Sequence, residues 1–269
     1  KKAEMMSTWG PPTIEVAEMF MSASSVYKNE EKYLEAVDCA EKAYTIYQKL
    51  RNSKSIGCLV TAAKCMRSAN RFDDYVRYTK KASTACLELG QTLAAARHLQ
   101  EIGHEYFIQE QYENALEFYL QAAEIMSLFK DRIEYHSQLQ EVIAECYCLT
   151  DNFQLAADSY LKVVEMYLVP NAPLTQFFAA SCFLKSGLCA LCCDEATAQK
   201  FLDKFEDLKI FPSFKATEEG QFLHQLLRAL KTKDLRLYAA AVKRNTTAST
   251  WQIKLLNVIK QSIVKTRHV

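Results

Sequence analysis

Glycine and proline are scarce, at six and five of 269 residues. So few glycines leave no phosphate-cradling loop, and no Gly-Lys-Ser/Thr, G-x-S-x-G or His-Glu-x-x-His pattern occurs. Catalysis has no visible home, and no cofactor or small-molecule substrate is expected. Five scattered histidines (His98, His104, His136, His224, His268) give little material for a metal site. Cys189, Cys192 and Cys193 share a helix face, but structural zinc needs four ligands, with Cys146 and Cys148 the nearest candidates for a second pair. Small buried residues are the better account, and no metal is expected. Ten cysteines are few for a disulfide scaffold of this length and fit a reducing compartment, the cytosol. No window approaches the ~18 continuous apolar residues of a membrane span. The opening Lys1-Lys2-Ala3-Glu4 is not followed by a basic-then-apolar leader.

Charge is balanced overall and divided locally. Gln221 to Val269 holds ten Lys/Arg and one acid, Asp234, so that stretch carries +9 and the preceding 220 residues −8, against +1 for the whole chain. Such a split points to an acidic partner, an anionic membrane or nucleic acid at the basic end.

All five prolines (Pro11, Pro12, Pro170, Pro173, Pro212) fall at breaks in a helical pattern, between which apolar residues recur at i, i+3, i+4 and i+7. Runs with period two are almost absent, so the class is all-α. A repeat overlies this pattern. Tyr33-x-x-Ala36, Phe72-x-x-Tyr75, Tyr112-x-x-Ala115 and Phe153-x-x-Ala156 each open a helix, at spacings of 39, 40 and 41 residues. Ten residues after each aromatic stands Ala43, Ala82, Ala122 or Val163, on the same face. A weaker fifth copy begins near Ala196. An aromatic fills the gap between paired helices while alanine lets their backbones approach. Each copy then holds an alanine-rich first helix and a second helix starting at the aromatic, of roughly 16 residues each. The aromatic stripes read as core; no exposed rings interleaved with Lys/Arg suggest a nucleic-acid platform.

A forty-residue helix pair is similar to the tetratricopeptide unit, which is usually about 34 residues long. More specific features lie in the last third. Phe183-Leu184-Lys185-Ser186-Gly187-Leu188-Cys189-Ala190-Leu191-Cys192, then Ile210-Phe211-Pro212-Ser213-Phe214, then Trp251 with Leu255-Leu256 and Ile259-Lys260 resemble, in order and spacing, segments of the soluble NSF attachment proteins, the SNAPs. Leu87-Glu88-Leu89-Gly90 and Ala94-Ala95-Ala96-Arg97-His98 extend the resemblance toward the amino end, and it covers nearly the whole chain. It implies a right-handed superhelical stack of antiparallel, tetratricopeptide-like helix pairs with a C-terminal helical cap. The expected divisions are an N-terminal segment (1–12), a repeat array (13–209) and a basic helical bundle (210–269). The implied role is a non-catalytic adaptor, cytoplasmic and peripherally membrane-associated, that binds the SNARE four-helix bundle and recruits the AAA ATPase NSF.

The resemblance also nominates residues. SNARE bundles present acidic surface, so Lys and Arg should line the binding groove. Lys64 and Arg67 lie three apart on one helix face, and Arg97 and Lys185 match lysines of the family's segments. The alternative for each is a solvated charge outside a helix, with Arg97 paired to Glu101 one turn on. Gln138 stands where the family has a base. Met5, Met6 and Trp9 match the family's membrane-dipping loop, with a hydrophobic staple onto the first helix as the other use. The ATPase-facing end is acidic in the family but basic here, which leaves three readings open: an acidic tail follows Val269, the ATPase partner has changed in compensation, or NSF binding is lost. Where the ATPase contact is kept, the resemblance places Lys231, Lys233, Arg236, Lys260 and Lys265 on that surface. A scaffold for some other protein or peptide is the competing reading. A nucleic-acid surface at the basic end is a third; no nucleic-acid partner is expected.

Overall fold

The computed structural model describes residues 13–129, 133–168, 173–193, 197, 200–201, 214–244 and 250–265. Every regular element among them is helical. There are α1 (Ile14–Asn29), α2 (Tyr33–Lys49), α3 (Lys54–Ser68), α4 (Phe72–Glu88), α5 (Thr92–Ile108), α6 (Tyr112–Met126), α7 (Ile133–Leu149), α8 (Phe153–Leu168) and α9 (Pro173–Leu191). A 3-10 turn (Phe214–Ala216), α10 (Glu218–Thr232), α11 (Leu235–Arg244) and α12 (Thr250–Lys265) follow. The helices α2, α4, α6 and α8 begin at the four repeat aromatics. The fifth copy near Ala196 and the turn residues Ile210 to Ser213 lie outside the described residues.

Two compact units divide the chain: residues 1–108 with 124–128, and 109–123 with 129–269. In the first, each helix from α1 to α5 packs against the next. In the second, α7 packs on α8, α8 on α9 and α9 on α10, while α12 touches α7, α9, α10 and α11. Short connections make sequential helices antiparallel.

The turns share one backbone solution. The N–H groups of Lys32, Asn52, Arg71, Gln91 and Asn152 donate to the carbonyls of Tyr27, Tyr47, Met66, Cys86 and Tyr147 at 2.7 to 2.9 Å. The residue before each donor is left-handed: Glu31, Arg51, Asn70, Gly90 and Asp151, with φ from 49° to 71°. This is the Schellman closure, which satisfies the orphan carbonyls of a helix end. Only Gly90 adopts it without a Cβ penalty.

Alanine does the work expected of it at the helix contacts. Ala36, Ala43, Ala82, Ala115, Ala122 and Ala156 are fully buried. Small hydroxyls bridge neighbouring helices. Ser24 donates to the Ala36 carbonyl at 2.7 Å, Ser83 to Ala95 at 3.0 Å and Ser186 to Ala157 at 2.8 Å. The aromatics differ in detail from the expectation. Tyr33, Phe72, Tyr112 and Phe153 at the helix starts are only half-buried. The large buried rings sit deeper, at Tyr47, Tyr75, Tyr78, Phe118, Tyr119 and Tyr160, because a first-turn side chain still reaches the edge of the layer. In the second unit Phe183 meets Phe214 edge-on at 4.8 Å, and Leu223, Leu226, Leu255, Ile259 and Ile263 continue the same core. Gly220, in the first turn of α10, lies so close to the Phe214 carbonyl that a Cβ would overlap it.

Candidate functional site

In the first unit, α3 and α5 form the walls of a groove of about 220 Å³ whose floor is α4. Lys64 and Arg67 project from α3, and His98, Glu101, His104 and Glu105 from α5, over Tyr75 and Thr79. The i, i+3 spacing on α3 and the i, i+3, i+7 spacing on α5 turn these side chains toward one another. Arg67 forms an ion pair with Glu105, and the Glu101 carboxylate lies 3.3 Å from His98 Nδ1. That hydrogen bond holds Glu101 below the usual carboxylate range. Burial, reinforced by Glu105, pushes the Tyr75 phenol up to about 12. Lys64 and Arg97 are exposed and pair with no acid among the described residues. The pairing of Arg97 with Glu101 is therefore replaced: the His98 ring, on the groove side of α5, takes that carboxylate.

Lys185 belongs to the second unit, where α7 and α9 stand over α8. Its ammonium is 3.0 Å from Glu141 and 5.5 Å from the centre of the Tyr160 ring. Both partners are largely withdrawn from water, with side-chain exposures of 22% and 27%. Burial pulls the Lys185 pKa down, Glu141 pulls it up, and the net shift is upward. Glu145, one turn beyond Glu141, is raised by burial, with Lys185 opposing and Glu141 adding to the shift. Gln138 is exposed on α7. This wall carries two carboxylates to one ammonium, a balance that reading Lys185 alone did not show.

The basic end is mostly solvent-facing. Lys231, Lys233, Arg236 and Lys260 are exposed. Asp234, the one acid of the stretch, accepts from the Arg236 and Leu237 backbone N–H groups at 2.7 and 3.4 Å and so caps α11 instead of neutralising a base. Lys254 has a structural part: it reaches Asp151 at 2.7 Å and donates to the Leu149 carbonyl at 2.9 Å, closing the C-terminus of α7. Met5, Met6 and Trp9 and the side chains of Trp251 and Lys265 lie outside the described residues.

Of the grouped cysteines, Cys148 and Cys189 meet across α7 and α9 with sulfurs 3.2 Å apart, both buried. Among the described residues no three His, Cys, Asp or Glu side chains gather as a metal would need. Among the same residues no helix is long and apolar enough to cross a membrane.

Sequence reasoning missed four groove or wall residues: Glu105, His104, Glu141 and Glu145. Arg67 and Glu105, and Lys185 and Glu141, are each separated by about one repeat, a signal available from the period.

Comparison with known proteins gives one family. The model for "Soluble NSF attachment protein, SNAP" matches residues 2–264. The human alpha-soluble NSF attachment protein is 24% identical over 254 residues, covering 93% of this chain and 84% of its own. The soluble NSF attachment protein homolog of fowlpox virus is 25% identical over 260 residues, covering 96% and 77%. A probable vesicular-fusion protein of Neurospora crassa is 26% identical over 262 residues, covering 91% and 85%. Among solved structures, a signal-transduction ATPase of Pyrococcus horikoshii with a tetratricopeptide repeat sensor aligns at a TM-score of 0.50 and 12% identity, covering 94% of this chain and 38% of its own. That likeness is one of fold.

Proposed function

The chain belongs to the soluble NSF attachment protein family, and on that premise we propose that it is an adaptor that binds assembled SNARE bundles and recruits an NSF-type ATPase to take them apart. The observation that carries the reading is the family match over residues 2–264, which includes both helical units. Vesicle fusion is the setting the relatives' names give. Adaptor work needs surface rather than a reaction centre, in keeping with a sequence that offers no catalytic pattern.

The cations available to an acidic bundle are those not already neutralised. Lys64 and Arg97 are free to meet it, Arg67 is shared with Glu105, and Lys185 serves its own wall through Glu141. Exposed pairs of this kind contribute little singly, roughly 0–1 kcal/mol each, and act as a field. At the other end the ATPase partner meets Lys231, Lys233, Arg236, Lys260 and Lys265. An ATPase surface complementary to these bases is acidic, a reversal of the sign the family resemblance implies. Met5, Met6 and Trp9 supply a peripheral membrane contact.

The test is capture of a purified, assembled SNARE bundle by the full chain and by a Lys64→Glu, Arg97→Glu variant. Neither lysine nor arginine holds the fold through an ion pair, so the variant should melt like the parent. Binding by the parent and a loss of about tenfold or more in the variant, for two reversed charges, support the adaptor reading. A folded parent chain that captures no bundle overturns it.

A further inference from the structure

Two of the thiols in the second unit stand close to bonding range. Cys148 lies in the last turn of α7 and Cys189 in the last turn of α9. Both are buried, and their sulfurs are 3.2 Å apart. A disulfide bond is about 2 Å long. The gap of about 1 Å is one that rotation of the two side chains about their Cα–Cβ bonds can close. The helix ends that carry the thiols are held in register by α12. Lys254 donates to the Leu149 carbonyl at the end of α7, and Cys192 at the end of α9 donates through Sγ to the Leu255 carbonyl at 3.4 Å. Zinc would need further ligands, and among the described residues no three His, Cys, Asp or Glu side chains gather. The chemistry left to a close pair of sulfurs is oxidation.

We propose that Cys148 and Cys189 are a covalent modification site, joined in the folded protein as a reversible disulfide when a small hydroperoxide such as hydrogen peroxide is present. One thiol takes an oxygen atom from the peroxide, giving a sulfenic acid and one water. The other thiol then attacks that sulfur; its proton leaves with the hydroxyl as a second water, and the S–S bond forms. The two sulfurs give up two electrons in all, and the peroxide O–O bond accepts them. Burial pushes the Cys189 thiol well above its ordinary pKa, and the thiolate is the reactive form, so the first step is slow. The pair therefore stays reduced in an ordinary cytosol, where disulfides are transient and serve redox sensing. Closure follows readily, because the second sulfur is already in place and intercepts the sulfenic acid before further oxidation. The bond ties α7 to α9, the helices that carry Glu141 and Lys185. It does not depend on the adaptor reading.

The experiment exposes the full chain, reduced and then freed of reductant, to hydrogen peroxide in native buffer and, separately, in urea. Remaining thiols are alkylated after denaturation, and the protein is digested without reduction and read by mass spectrometry. The native sample should yield a linked pair of peptides containing Cys148 and Cys189, about 2 Da lighter than the two reduced peptides together. Dithiothreitol should abolish it. Cys146, buried two residues from Cys148, should remain alkylatable. Cys148→Ala should lose the linked pair; if that variant melts early, the map of the parent chain decides alone. The proposal is overturned if Cys148 and Cys189 are both still alkylated once the more exposed Cys192 and Cys193 have been oxidised. It is equally overturned if Cys189 links to a different cysteine, or if the Cys148–Cys189 bond forms only in urea.

Discussion

Lys185 separates a structural from a binding role most cleanly, through a double-mutant cycle with Glu141. Lys185→Met keeps the methylene stem over Tyr160 and removes the charge; Glu141→Gln keeps the shape and removes the partner. The two groups are 3.0 Å apart and each is less than a third exposed. At an effective dielectric near 20, a pair about 4 Å apart attracts by about 4 kcal/mol before desolvation is subtracted. Desolvation takes back much of this, leaving a coupling of about 1–2 kcal/mol. Lys185→Met alone strands Glu141 beside Glu145, so it should cost about 2–3 kcal/mol. Glu141→Gln alone removes one of two acids and should cost less, about 1–2 kcal/mol. The double variant should be more stable than the sum of the two losses allows. Urea unfolding followed by far-ultraviolet circular dichroism reads each corner of the cycle. A coupling below about 0.3 kcal/mol refutes the pair as a stabilising contact.

Two further outcomes follow from the same unit. Gly220→Ala places a Cβ onto the Phe214 carbonyl; since backbone must move, it should cost about 2–4 kcal/mol and lower Tm by several degrees, measured by calorimetry. Glu145→Gln should raise stability at neutral pH by about 1 kcal/mol, because burial disfavours the ionised carboxylate. With the folded pKa above the unfolded one, the native state binds more protons between them, so the parent loses stability as pH rises from the unfolded value near 4.5 through the folded one. Stability curves over that window should show this loss in the parent and not in the variant.

Helix positions were legible because their signal is local and repeated. Tyr33, Phe72, Tyr112 and Phe153 begin α2, α4, α6 and α8. The turns were harder to read. Five of the six Schellman closures found among the described residues place Glu31, Arg51, Asn70, Asp151 or Lys233 in the left-handed region, where glycine would have announced the turn. A chain with six glycines spends stability there, roughly 1–2 kcal/mol per residue, which tertiary packing of alanine-lined helices offsets. For the site, the shared face of Lys64 and Arg67 followed from an i, i+3 rule. The i, i+4 pairing of Arg97 was displaced by an i, i+3 one within the same helix, because Glu101 had a claimant in His98, 3.3 Å away on the groove side.

The period itself carries the information that the single-helix rule lacks. Side chains that meet across neighbouring helix pairs are separated by about one repeat: Lys54 and Glu18 by 36 residues, Tyr78 and Glu41 by 37, Cys148 and Cys189 by 41, Lys185 and Glu141 by 44. Equivalent positions in successive repeats stack, so adding a period to a residue number gives the neighbourhood of its partner. Applied to the candidate cations, the rule brings Arg67 to Glu105, Lys64 to the neighbourhood of Glu101 and Lys185 back to Glu141. Arg67 and Lys185 close as ion pairs, while Lys64 acts on Glu101 through its field alone, which is why a single-helix rule finds none of the three partners.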